Sequence, residues 1–324
     1  MGLNVKEKID GVVTPDLKKK VAAWWQGVDV GDLNWPEVVE GDEDGDAPTA
    51  EVAVEAPPEK VEISVELSHF IKVSEMLWGQ GYVTPGGKSF IDLWGQQLSL
   101  NKEKSTAYLG AGLGGQAREL NLSTGSWVTC YERHPEMVAV ASDEAMMAGL
   151  AKKVTSELYD PENLELEAEK FNAVIAKEEF TTIENKQGVI EAISNGMKKS
   201  GMFMFTVYTA NSPDLDAGKT KEMFGDMLGT PSLWTDKQYV DCLESSGLDI
   251  HINEELSDKY VEFINEAWGR YRSVVDKIKE GDETDLEKAA LLKMVGISAE
   301  QWTHISMNLA AGDLQLRRFL ARKI

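Results

Sequence analysis

The chain has 324 residues, an ordinary apolar share of 42% and a formal net charge of −22. That length holds one large domain, or one domain with an appendage, and the composition supplies a sizeable core. The charge repels phosphate backbones and anionic membranes, so neither nucleic acid nor a bare membrane surface is an expected partner, whereas cations are attracted.

The two cysteines, Cys130 and Cys242, lie far apart and give neither a disulfide framework nor a zinc spacing. Cys130 falls inside an expected strand and reads as a small buried apolar residue. No apolar run is long enough to span a bilayer. The segment MGLNVKEKIDG lacks the hydrophobic core of a signal peptide and does not complete a myristoylation pattern. A cytoplasmic setting is the expectation.

In chain order, TPDLKKKVAAWWQ (14–26) predicts a helix, capped by Thr14 and ended by Gly27, with an apolar stripe of Val21, Trp24 and Trp25. Residues 1–37 are thus a helical appendage that docks on the main domain or on a protein partner, or supports a homo-oligomer. Residues 38–62 are acidic and rich in Ala, Pro and Gly, the composition of a flexible linker. Residues 63–324 read as one unit. VELSHFIKVSEMLW has helical period, GYVTPGGKS is a turn-rich loop, and SFIDLWGQQLSL is a second helix. Strands are expected at 105–109, 127–131, 154–158, 171–176 and 201–208, and helices at about 114–120, 135–149 and 184–198. This alternation predicts a parallel sheet with helices on both faces. KQYVDCLESSGLD is a further helix. LDIHINEEL and LQLRRFLARKI are two more strands, separated by helical sequence over 256–312.

The chemistry-bearing stretch is Ser105–Glu132. STAYLGAGLGGQAREL takes a strand through a glycine loop into a helix, and VTCYE ends a second strand on an acid, Glu132. Gly110, Gly112 and Gly114 let backbone approach a ligand, and Glu132 is placed to accept hydrogen bonds from a ribose diol. A nucleoside cofactor follows. The loop contains G-x-G-x-x-G, so NAD is a fair competitor. Three observations favour another nucleoside. Two helices and a conspicuous loop precede the glycine strand. Asp160, after the third strand, can take an adenine amine. The chain closes on two strands split by a helical insertion, which fits a sheet with an antiparallel last strand.

LWGQGYVTPGG, LGAGLGGQAREL, VTCYERHPEM and KSGMFMFTVYT together resemble the class I S-adenosylmethionine-dependent methyltransferases, and among them the phosphoethanolamine and sterol methyltransferase branch. The resemblance covers about residues 70–324. It implies an α/β, Rossmann-like seven-stranded sheet with an antiparallel last strand, an N-terminal helical extension and a helical lid over 256–312. It implies S-adenosylmethionine as cofactor, held by Gly110, Gly112, Gly114, Glu132 and Asp160. Tyr82, Thr84 and Gly86–Gly87 would close a flap, with Tyr82 as the best catalytic candidate. The transfer is an in-line displacement, so alignment and removal of one acceptor proton are what the protein must supply, without a metal.

The chain departs from that pattern in places. Tyr108 stands where the family carries an acid. The loop AKEEFTTIEN has no histidine, and Glu178, Glu179, Thr181 or Thr182 takes its neighbourhood. MLGTPSLW offers no counterpart to the residues that grip a substrate phosphate, so a small or lipid-like acceptor other than a phosphobase is expected. Glu178 and Glu179 remain catalytic candidates because they follow the fourth strand at the ligand-binding edge, and Thr181 and Tyr208 are candidates for the substrate wall. His69, before the flap, is a further proton acceptor candidate. His134, His251 and His304 read as surface or packing residues. Met202, Met204, Met223 and Met227 read as core filler. A catalytically silent protein of the same fold, acting as a binding or assembly partner, is the alternative of a different class, and an NAD-dependent oxidoreductase is the third.

Overall fold

A computed structural model describes residues 63–212, 217–224 and 230–324. The expected helix at 14–26 and the linker at 38–62 lie outside the described residues, as does Met227. Ser64 caps α1 (Val65–Trp78) by accepting a hydrogen bond from the Leu67 N–H at 3.3 Å. After the turn at 79–86 come α2 (Gly87–Gln97), β1 (Ser105–Leu109), α3 (Gly115–Thr124), β2 (Trp127–Glu132), α4 (Pro135–Met147) and β3 (Val154–Leu158). They are followed by β4 (Phe171–Lys177), α5 (Lys186–Gly196), β5 (Met197–Ala210), α6 (Ala217–Phe224), α7 (Asp236–Ser245) and β6 (Leu248–Glu255). The chain ends with α8 (Ser257–Gly269), α9 (Tyr271–Glu280), α10 (Asp285–Ala311) and β7 (Leu314–Lys323).

The seven strands form one sheet in the order 3-2-1-4-5-7-6. β1 to β5 run parallel, and β7 is antiparallel to both β5 and β6. The chain moves outward from β1 to β2 and β3 on one side, and then crosses to β4 and β5 on the other. The gap between the β1 and β4 loops is therefore the topological switch point, where a parallel sheet leaves a crevice beyond its C-terminal edge.

β5 begins at Met197, earlier than the expected 201. Lys198–Ser200 are accommodated by an irregular register opposite Phe171–Ala173, with Ser200 at φ +61°. The helix expected at 184–198 accordingly gives way at Gly196. The helical span 256–312 resolves into α8, α9 and α10. α6 was not expected.

On one face of the sheet, Phe203, Phe205 and Phe319 stack with centroids 4.5 and 4.9 Å apart, and Phe180 and Tyr239 pack against them. On the other, Tyr260 of α8 meets Phe90 of α2, Tyr208 of β5 and Trp302 of α10, and Trp302 meets Trp78 of α1 edge-on at 5.1 Å. Cys130 is buried in β2, and burial pushes its thiol up to about 12, which leaves it unreactive. Met204 and Met223 are buried, as core filler would be.

Candidate functional site

β1 delivers the glycine loop to the crevice. The N–H groups of Gly110 and Ala111 return to the Tyr131 carbonyl of β2 at 2.8 and 3.3 Å. Gly112 takes φ +55°, a conformation costly for a side chain, and a Cβ there would stand 3.1 Å from Cγ2 of Val83. Glu132, at the end of β2, is buried and turned into the same loop. Its Oε2 accepts from the Gly112 N–H at 2.8 Å, and its Oε1 accepts from the Arg133 and His134 N–H groups at 2.9 and 3.1 Å. Burial, and then the nearby Glu179 charge, raise the Glu132 carboxyl above its ordinary range against the pull of these bonds.

Glu179 comes from the one-turn helix Glu179–Thr181 after β4 and lies over Gly110, where any Cβ would collide with its carboxylate. Its Oε1 receives the Arg133 guanidinium, with Nε at 3.2 Å, and the Tyr159 hydroxyl, while Arg133 Nη1 donates to Thr182 Oγ1 at 2.9 Å. The ends of β2, β3 and β4 are thus tied by one ion pair and its hydrogen bonds.

The turn at 79–86 closes the crevice from above. The Gly115 N–H donates to the Gly81 carbonyl at 3.1 Å, and the Gly81 N–H donates to Glu75 Oε1 at 2.8 Å. Gly81, Tyr82, Val83 and Thr84 line a cleft together with Gly110, Ala111, Gln116 and Lys177. Lys177 is the one charged residue in that lining. It ends β4, its side chain is only 3% exposed, and Nζ donates to Thr84 Oγ1 and to Glu178 Oε2, the latter at 3.4 Å. The rings of Phe90 and Tyr260 lie 5.6 and 5.7 Å from Nζ. Burial holds the Lys177 ammonium below the ordinary lysine range, and Glu178 acts against that shift.

The comparisons agree with this geometry. Residues 101–247 match a family described as a methyltransferase domain. The chain is 23% identical over 194 residues to phosphoethanolamine N-methyltransferase of Plasmodium falciparum, which covers 58% of this chain and 70% of that protein. It is 22% identical over 241 residues to sterol 24-C-methyltransferase of Candida albicans, covering 68% and 64%. A phosphoethanolamine N-methyltransferase 2 from Haemonchus contortus, solved with phosphomonomethylethanolamine and S-adenosylhomocysteine, superposes with a TM-score of 0.67 at 18% identity. That match covers 82% of this chain and 59% of the other, so the chain spans about three fifths of that structure. The [4+2]-cyclase SpnF superposes with a TM-score of 0.60 at 17% identity, covering 80% of this chain and 92% of the other. The fold is that of the class I methyltransferases. The cyclase shows that this fold does not by itself decide the reaction.

Within the methyltransferase fold, the structure gathers Tyr82, Thr84 and Gly110 along one cleft, with Glu132 and Gly112 bonded beside it. Gly114 is left-handed and opens α3. Asp160 follows β3 at the same edge but is fully exposed, and it bonds the Glu162 N–H and the Asn163 side chain of its own turn. Thr181 gives its hydroxyl to the Glu178 carbonyl at 2.6 Å and so shapes that turn. Tyr208 is buried at the C-terminal end of β5, against Tyr260 and Phe224. His69 is half-buried on α1, outside the residues that line the cleft. Tyr108, in place of the family's acid, is buried and bonds Gln116, whose amide reaches the Gly87 carbonyl at 3.4 Å. It therefore supports the start of α2.

Sequence reasoning missed Lys177, Arg133, Tyr159, Gln116 and Tyr260. For Lys177 the signal was there: a lone lysine closes the apolar run FNAVIA, at the edge where ligands bind. The others are assembled by tertiary packing. No helix among the described residues is long and apolar enough to cross a membrane, and they hold no His, Cys, Asp and Glu cluster suited to a metal.

Proposed function

We propose that the protein is an S-adenosylmethionine-dependent methyltransferase acting on a small or lipid-like acceptor, with residues 63–324 as its catalytic unit and α8 to α10 as its lid. The observation that carries this reading is the cleft at the switch point. Gly110 and Ala111 line it, Glu132 is bonded to the neighbouring Gly112, and the turn bearing Tyr82 and Thr84 lines it opposite. The residues fit the cofactor: Glu132 Oε2 accepts one bond from Gly112 and keeps a lone pair for a ribose hydroxyl, and Gly110 and Ala111 line the cleft beside it. The bound cofactor supplies an activated methyl on a sulfonium. Sterols, named in one relative, are the first acceptors to try, with phosphoethanolamine, named in another, as the comparison. The reversed β7 between β5 and β6 departs from the parallel 3-2-1-4-5-6 sheet of dinucleotide enzymes, which weighs against NAD.

Glu132→Ala removes an acceptor for the ribose and is expected to weaken S-adenosylmethionine binding by about 1–3 kcal/mol, roughly 5- to 150-fold. Calorimetric titration of both proteins measures it, and an unchanged Kd would remove Glu132 from the site.

Tyr82→Phe tests the flap. With an acceptor found by following S-adenosylhomocysteine formation, turnover is expected to fall by roughly tenfold to 10²-fold while cofactor Kd changes little, because the hydroxyl acts on the acceptor side. Weaker cofactor binding with unchanged single-turnover chemistry would make Tyr82 part of the cofactor wall instead. Cofactor binding without S-adenosylhomocysteine formation from any acceptor would favour the silent reading.

A further inference from the structure

Beside the cleft lies a buried polar cluster that the cofactor reading does not use. Lys177 lines the cleft, and Glu178 pairs with it. Glu178 is a non-glycine residue at φ +60°, held there by the Glu178 N–H bond to the Thr206 carbonyl at 2.8 Å and by the Thr181 hydroxyl. Such strain persists only where the surroundings fix it, and it collects at functional sites. Glu178 Oε1 pairs with Lys177 Nζ at 3.2 Å, and the buried Tyr260 hydroxyl interacts with both Tyr208 and Glu178. Lys177, Glu178, Tyr208 and Tyr260 thus form one buried polar cluster, and Lys177 is its member in the cleft lining.

We propose that Lys177 is the proton acceptor for methyl transfer, and that the cleft it lines takes an uncharged acceptor bearing an O–H or N–H group. This rests on the methyltransferase reading above. In the step, the acceptor atom gives its proton to the Nζ lone pair and takes the methyl, whose bond to sulfur breaks. The positive charge thus passes from sulfur to nitrogen. Lys177 must enter the step as a neutral amine, and two features make that form accessible: it is buried, and a sulfonium in the same cleft repels its ammonium. The ammonium formed afterwards meets the Glu178 carboxylate, the Thr84 hydroxyl and the faces of Phe90 and Tyr260, each of which stabilises a cation. Because Lys177 itself occupies the aromatic surroundings that a cationic amine would need, the acceptor is neutral. The other titratable groups facing it are Tyr82 of the flap, Tyr108 of β1, Tyr208 of β5 and Tyr260 of α8. Burial first, and then Glu178, raise Tyr108, Tyr208 and Tyr260, so these phenols stay protonated.

The test needs no acceptor. S-adenosylmethionine and S-adenosylhomocysteine differ by one methyl and the sulfonium charge, so their ratio of Kd values isolates the effect of that charge. At low pH the Lys177 ammonium repels the sulfonium. As pH rises through the Lys177 pKa the repulsion vanishes and S-adenosylmethionine tightens relative to S-adenosylhomocysteine. The full chain should show a gain of at least about tenfold in that ratio between about pH 6 and pH 10, with proton release on binding S-adenosylmethionine. Lys177→Met should flatten the profile. Lys177→Arg, which keeps the charge but cannot titrate, should hold the low-pH ratio throughout and serves if the first variant does not fold. A flat profile in the unaltered protein, or the same slope in Lys177→Arg, overturns the assignment while leaving the cofactor reading intact. Failure of both ligands to bind overturns the cofactor reading, and the Lys177 proposal with it.

Discussion

Gly112→Val is expected to abolish binding of S-adenosylmethionine, by at least about 10²-fold, or roughly 2.7 kcal/mol. A Cβ at this position already stands 3.1 Å from Val83 of the flap, and valine adds two further methyls. The backbone sits at φ +55°, where a β-branched residue is strained by about 1–2 kcal/mol. The Gly112 N–H also holds Glu132 in place at 2.8 Å, so a shift of the loop displaces the carboxylate with it. The substitution thus affects the flap and the ribose acceptor together. Thermal melting separates loss of binding from loss of fold: a cooperative transition a few degrees lower, with no saturable heat of binding, is the expected pair of results. A folded Gly112→Val protein with unchanged affinity would remove this loop from the site.

Phe319→Ala is expected to destabilise the protein by about 3–5 kcal/mol, a fall in melting midpoint on the order of 10 °C. Phe319 is fully buried in β7, stacked on Phe205 at 4.9 Å and close to Tyr239 at 5.9 Å. It lies in the reversed strand that joins β5 to β6, so the cavity left by alanine opens where the two halves of the edge are held together. Leu286, 56% exposed on α10, gives the contrast, and Leu286→Ala should stay within about 0.5 kcal/mol of the parent. Chemical denaturation of both variants measures the difference. Equal stabilities would mean that β7 does not carry the core.

The sheet was legible because its strands announce themselves twice. STAYL, VTCYE and FNAVIA are short apolar runs bounded by polar turns, and each is followed by a helix with its own start signal. The glycine loop was legible for a related reason, since the backbone at Gly112 takes φ +55°, which favours glycine. The boundary at Met197 was not, because the irregular register at Lys198–Ser200 leaves no local signature. The polar half of the site was hidden differently. KEEFTTIEN reads as a solvated acidic loop, yet Lys177 is buried and Glu179 is committed to Arg133 and Tyr159 from other strands. Charge composition predicts exposure, and the three strand ends that meet here override it. Tyr260 joins the site from more than seventy residues further along, through packing of α8 that no local pattern encodes.

The central claim is that the cleft between β1 and β4 is an S-adenosyl cofactor site. Calorimetric titration of the full chain with S-adenosylmethionine, S-adenosylhomocysteine and NADH, side by side, tests it most directly. Saturable binding of the two S-adenosyl compounds and none of NADH is the predicted result. Binding of NADH alone, or of none of the three at millimolar ligand, would contradict it.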